Sequence, residues 1–129
     1  MAQQTVTELV GVYDAEGTVL GEVRYWVGAR LGTTHCSLCE LTHGTFRERA
    51  DWRACRDQLP VPFHAFHTDD QPDDVREAAA GEYPVVVART SERPVVLLGR
   101  AALDSCHGDL GVFRTALADA AVRLGLTWG

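Results

Sequence analysis

Tyr83-Pro84-Val85-Val86-Val87-Ala88-Arg89-Thr90-Ser91-Glu92-Arg93-Pro94-Val95-Val96-Leu97-Leu98 is the stretch on which the fold class turns. Tyr83 to Ala88 is a strongly apolar run rich in β-branched residues, which predicts a buried strand. Thr90-Ser91-Glu92-Arg93 is polar and reads as a turn, and Pro94 to Leu98 then supplies a second strand. Helical patterns flank this pair. Pro72 to Ala80 predicts a helix with proline in its first turn, closed by Gly81. Leu110, Phe113, Leu117, Ala121 and Leu124 fall on one stripe and predict a final helix.

Upstream, Val61 to His67 reads as a strand, and Arg47 to Leu59 as a helix ended by Pro60. The cysteine-bearing segment before it reads as a short helix entered at Thr33 or Thr34 and broken by Gly44. Leu20, Val23, Val27 and Leu31 recur at helical spacing before Gly32, with a strand pair through Val19 to Val27 as the competing reading. Leu9 to Tyr13 is a first strand, ended by the turn sequence Asp14-Ala15-Glu16-Gly17. The order is βα(αα)βαββα, an α/β pattern. There are no repeats, no low-complexity tracts and no dividing linker, so residues 1–129 are expected to form one domain.

Composition narrows the function classes. The chain has 129 residues, of which 46% are hydrophobic, enough for one core. It contains no Lys, Asn or Ile, and its 12 basic residues are all Arg, a pattern expected of a GC-rich bacterial genome. A net charge of −6 argues against nucleic-acid binding, which needs clustered positive charge. Asp69-Asp70-Gln71-Pro72-Asp73-Asp74 reads as a solvated turn into a helix, and it lacks the spacing of a calcium loop. No apolar run approaches the ~20 residues of a membrane span, and no secretory signal is visible, so a cytoplasmic protein is expected.

The order of elements resembles the thioredoxin-like fold, glutaredoxin-type members in particular, best from Val61 to the C-terminus. Tyr83-Pro84 falls where that fold places a cis-proline beside its active site; X-Pro bonds take the cis form cheaply. The resemblance implies a mixed sheet of about four strands flanked by helices. That fold carries its CxxC directly after the first strand, where this chain has Asp14-Ala15-Glu16-Gly17-Thr18. Here Cys36 and Cys39 come about twenty residues later, in what reads as a helical insertion over 33–59.

The chemistry-bearing segment is His35-Cys36-Ser37-Leu38-Cys39-Glu40-Leu41-Thr42-His43. On a helix, Cys36, Cys39 and His43 share one face, bringing two soft sulfurs and an imidazole together. Such a set suits zinc, with copper as an alternative; His67, His35, Cys55 or solvent would supply the fourth ligand, and His67 is preferred because strand C-terminal ends border the ligand crevice. The same residues suit thiol–disulfide exchange, with Cys36 attacking, Cys39 resolving and His35 or His43 assisting proton transfer toward a thiol partner or small molecule. A third reading makes both cysteines buried packing residues. The metal centre Cys36, Cys39, His43 and His67 is the leading expectation, and the dithiol the alternative.

The remaining candidates read more plainly. His64 and His67 alternate along a strand, so one of them at most joins the cluster. Cys106-His107 lies in a Gly-flanked loop before the last helix, and Cys55 reads as helix packing. Trp26, Trp52 and Trp128 are too scattered to stack bases. There is no Gly-rich phosphate loop, no Gly-x-Ser-x-Gly elbow and no His-Glu-x-x-His, and Glu40 excludes a Cys-x-x-Cys-His haem site.

Overall fold

Gln4–Val12 forms the central strand β1, and Val6, Leu9, Val10 and Val12 within it are fully buried. In the computed structural model, residues 4–14, 37–42 and 49–128 are described. After β1 come the helices α1 (Ser37–Thr42) and α2 (Ala50–Asp57), then β2 (Phe63–Phe66) and α3 (Asp73–Ala79). The chain continues through β3 (Val85–Thr90), β4 (Val95–Leu98), α4 (Arg100–Asp104), α5 (Leu110–Arg123) and β5 (Leu126–Trp128).

The sheet has the order β2-β1-β3-β4, with β5 pairing the first half of β1. β2 runs parallel to β1, whereas β3 is antiparallel to both β1 and β4. A parallel neighbour requires a crossover, and α1 and α2 lie in the segment that makes it. The β3–β4 turn is held locally: the Thr90 hydroxyl accepts from the Glu92 and Arg93 amides and donates to the Arg93 carbonyl.

Alternation along the strands divides the core between the two faces. Leu9, Tyr13, Phe63, Val86 and Leu97 join Leu38, Leu41, Trp52, Phe113 and Leu117 from α1, α2 and α5 in one cluster. Val10, Val12, Val85 and Val87 face Val75 and Ala79 of α3 in the other. Both faces of β1 and β3 are covered, which explains the unbroken apolar run of Val85 to Ala88. Trp52 meets Phe63 and Phe113 edge-on, with ring centroids 5.0 and 5.9 Å apart.

The expected α/β class, the mixed sheet and the hairpin around residues 90–94 are all present. Among the described residues the sheet has five strands where about four were expected, because β5 adds to β1. α4 was also not expected. β1 starts earlier than Leu9, and Pro72 caps α3 from just outside its first turn. The turn from α3 into β3 passes through left-handed Ala80 and Gly81, and Tyr83–Pro84 is a cis peptide. Leu124 was expected on the buried stripe of α5, but it is exposed at the helix C-cap; Ala120 faces the core beside Ala121 instead. The helical reading of Leu20 to Leu31 lies outside the described residues.

Candidate functional site

The C-terminal ends of β1, β2 and β4 and the start of β3 meet at one end of the sheet. Val12 pairs with Phe66 on one side and Val85 on the other, and Val86 pairs with Leu98. α1 lies against this end, with Leu38, Leu41 and Thr42 fully buried. Its close seat depends on Gly11 of β1. A Cβ at that position would stand 2.7 Å from Phe63 Cζ and 3.1 Å from Leu38 Cδ2, so only a glycine fits there without movement.

A directed chain of hydrogen bonds ties α1 to the strand end. The buried Tyr13 hydroxyl donates to Thr42 Oγ1 at 3.0 Å, and the Thr42 hydroxyl donates to the Leu38 carbonyl at 3.2 Å. The second bond is the back-bond that threonine makes to the preceding turn of a helix. The ring of His67 lies against that of Tyr13, with centroids 5.4 Å apart. Asp70 clamps His67, one oxygen accepting from its backbone amide and the other facing ring Nδ1. Beyond it, the Gln71 side-chain amide donates to the Thr68 carbonyl and the Tyr83 hydroxyl.

These contacts locate the expected site residues. Cys39 falls within α1, on the helix that Tyr13 and Gly11 position, and Cys36 directly precedes its first residue. Cys36, His43, His35 and the side chain of Cys39 lie outside the described residues. His67 stands at the same end of the sheet, joined to α1 through Tyr13. His64 points elsewhere and bonds Glu8 at 2.7 Å.

The metal centre is corrected. Among the described residues no group of three or more His, Cys, Asp or Glu side chains is placed to hold a metal ion. His67, the expected fourth ligand beside Cys36, Cys39 and His43, instead has its ring between Asp70 and Tyr13. The acidic run 69–74 does not converge either. Asp70 turns to His67, Asp73 to Arg76 and Asp74 to Arg89. The metal-binding function expected of the chain is thus not supported among the described residues, and Cys36, His43 and the side chain of Cys39 lie outside them.

The other cysteines are core residues. Cys55 and Cys106 are buried among Leu41, Trp52, Leu103 and their neighbours. Burial pushes both thiols up from the ordinary range, which keeps them protonated and slow to react. This agrees with the packing role expected for Cys55.

Sequence reading missed an ion cluster on the α3 face. Arg89 reaches Glu8 at 2.6 Å and Asp74 at 2.7 Å, joining β3 to β1 and to α3. The Arg89 bonds hold the Asp74 carboxyl below the usual range. For Glu8, burial pulls upward, but bonds from Arg89 and His64 outweigh it and the net shift is down. A charged residue inside an apolar strand run was the available signal for this cluster.

No helix among the described residues is long and apolar enough to cross a membrane. Comparison with protein-family models, curated proteins and solved structures gives no match.

Proposed function

We propose that this chain is a thioredoxin-like thiol–disulfide oxidoreductase in which Cys36 and Cys39 form the exchanging dithiol, carried by the helical insertion over 33–59. The observation that carries this reading is the seat of α1. The helix holding Cys39 packs over Gly11 and is bonded to Tyr13, at the strand end where β1, β2 and β3 meet. The sheet order β2-β1-β3-β4 with β3 antiparallel, α1 and α5 on one face and α3 on the other, supports the thioredoxin-like resemblance. The buried state of Cys55 and Cys106 supports assigning exchange to the other two cysteines.

The chemistry needs no cofactor. The Cys36 thiolate attacks one sulfur of a substrate disulfide, and the other substrate sulfur leaves as a thiolate that takes up a proton. Cys39, deprotonated in turn, attacks Cys36 Sγ in the mixed disulfide. The second substrate thiol departs, and the chain is left with a Cys36–Cys39 disulfide. The substrate has gained two electrons and two protons, and two equivalents of a small-molecule thiol, released as their disulfide, return the chain to the dithiol. A two-residue spacing suits this cycle, since both sulfurs reach each other and one is the better nucleophile.

The test is equilibration in glutathione redox buffers followed by alkylation and peptide mass analysis. The expected result is a reversible Cys36–Cys39 disulfide, with Cys55 and Cys106 reduced throughout. A Cys39→Ser variant should accumulate a mixed disulfide on Cys36, and a Cys55→Ser/Cys106→Ser variant should behave as the parent. Thiols at 36 and 39 that stay reduced across the whole range would refute the proposal.

A further inference from the structure

The described contacts that fix α1 lie between Leu38 and Thr42. Leu38, Leu41 and Thr42 are fully buried. The Thr42 carbonyl accepts from the Arg49 amide at 2.7 Å, and the Thr42 hydroxyl donates to the Leu38 carbonyl at 3.2 Å. That carbonyl belongs to the peptide bond leading into Cys39. The contact therefore holds the backbone directly before the second cysteine of the pair.

The hold is directed from outside the helix. Tyr13, just past the end of β1, donates its hydroxyl proton to Thr42 Oγ1 at 3.0 Å. With Tyr13 as donor, the Thr42 hydrogen points at Leu38, and successive hydrogen bonds polarise and strengthen one another. Tyr13 has little freedom of its own. Its amide donates to the Phe66 carbonyl at 2.9 Å, its side chain is buried, and the His67 ring packs against it at 5.4 Å.

A disulfide closes only when the two Cα atoms and their Cβ vectors meet a narrow geometry. Cys36 directly precedes α1 and Cys39 lies in its first turn, so the Leu38–Cys39 peptide governs how often the dithiol reaches that geometry. A peptide already ordered before exchange begins raises the effective concentration of one thiol at the other.

We infer that Tyr13 and Thr42 are positioning residues for the dithiol: their hydrogen-bond relay to the Leu38 carbonyl holds Cys39 where it closes on Cys36, and so favours the disulfide. The inference rests on the dithiol reading proposed above. Both residues act through the backbone of α1. Loss of the relay lowers the effective concentration of Cys39 at Cys36, so the disulfide forms less readily and the reduction potential rises. The net worth of one buried hydrogen bond sets the size of the effect, a factor of about five.

The experiment measures the equilibrium constant of the Cys36–Cys39 pair in glutathione buffers, on the full chain, for the parent and four variants checked by circular dichroism. Tyr13→Phe and Thr42→Val break the relay. Each should lower the constant for disulfide formation about fivefold, an upward shift of roughly 20 mV for this two-electron couple. Thr42→Ser keeps the hydroxyl and should restore the parent value. Val75→Ala opens a cavity in the core on the α3 face, lowering stability without touching the relay, and should leave the constant unchanged. Should Thr42→Val lose its fold, Tyr13→Phe set against Val75→Ala decides. A parent that forms no Cys36–Cys39 disulfide would sink the dithiol reading and this inference with it. With the disulfide formed in the parent, three results would each overturn the positioning role alone: parent-like constants in the relay variants, a Thr42→Ser shift as large as that of Thr42→Val, or an equal shift in Val75→Ala.

Discussion

Replacing Gly11 with alanine tests how tightly α1 is seated on β1. The new Cβ would stand 2.7 and 3.0 Å from Phe63 Cζ and Cε1, and 3.1 Å from Leu38 Cδ2. Phe63 cannot swing away freely, because its ring is packed edge-on against both Trp52 and Phe113. Overpacking of this kind costs about 1–3 kcal/mol. Alanine recovers about 0.5–1 kcal/mol of backbone entropy relative to glycine in a strand. The net expectation is a loss of about 1–2 kcal/mol, which for a chain of this length lowers Tm by roughly 4–8 °C. The decisive measurement is a double-mutant cycle in urea with Phe63→Leu. Leucine lacks the ring atoms that the Cβ meets, so Gly11→Ala should cost about 1 kcal/mol less in that background than in the parent. A Gly11→Ala variant as stable as the parent, or a cost identical in both backgrounds, would refute the packing argument.

Two further outcomes follow from the polar contacts. Tyr13→Phe removes the buried donor to Thr42 and should cost about 1–2 kcal/mol; Thr42→Val should cost a similar amount, and the double variant clearly less than the sum, as urea unfolding would show. Because Glu8 and Asp74 have lowered folded-state pKa values, their stabilisation is complete above the ordinary carboxylate range. It is lost as pH falls through those lowered values, so Arg89→Leu should flatten the acid side of the stability profile, measured as Tm against pH. The effect should be modest, since the Asp74 side chain is 46% exposed and solvent screens the pair.

Sequence patterning located the elements whose signals are local. The β3–β4 hairpin was legible because an apolar run, a polar turn and a second apolar run follow one another directly. α3 was legible from Pro72 and Gly81, and α5 from a stripe at helical spacing. The packing role of Cys55 was readable from its mid-helix position. What sequence could not supply was the meeting of residues far apart in the chain. Tyr13 and Thr42 are separated by 29 positions, and nothing local to either announces their bond. β5 exists because Leu126 to Trp128 finds an open edge of β1, which is a property of the assembled sheet.

The candidate site divides along the same line. The CxxC and the helical placement of Cys39 were legible in the sequence, since spacing and helical periodicity are properties of neighbouring residues. Whether His67 serves that helix as a ligand was a tertiary matter. Convergence of side chains from separate elements depends on where each strand ends and which rotamer its neighbours allow. Here Asp70, three residues along the same turn, captures the His67 amide and faces its ring, and Tyr13 packs against that ring. Gly11 gives the reverse case. Its sequence position suggests only a weak strand residue, and the physical reason for glycine appears once Phe63 and Leu38 close over it.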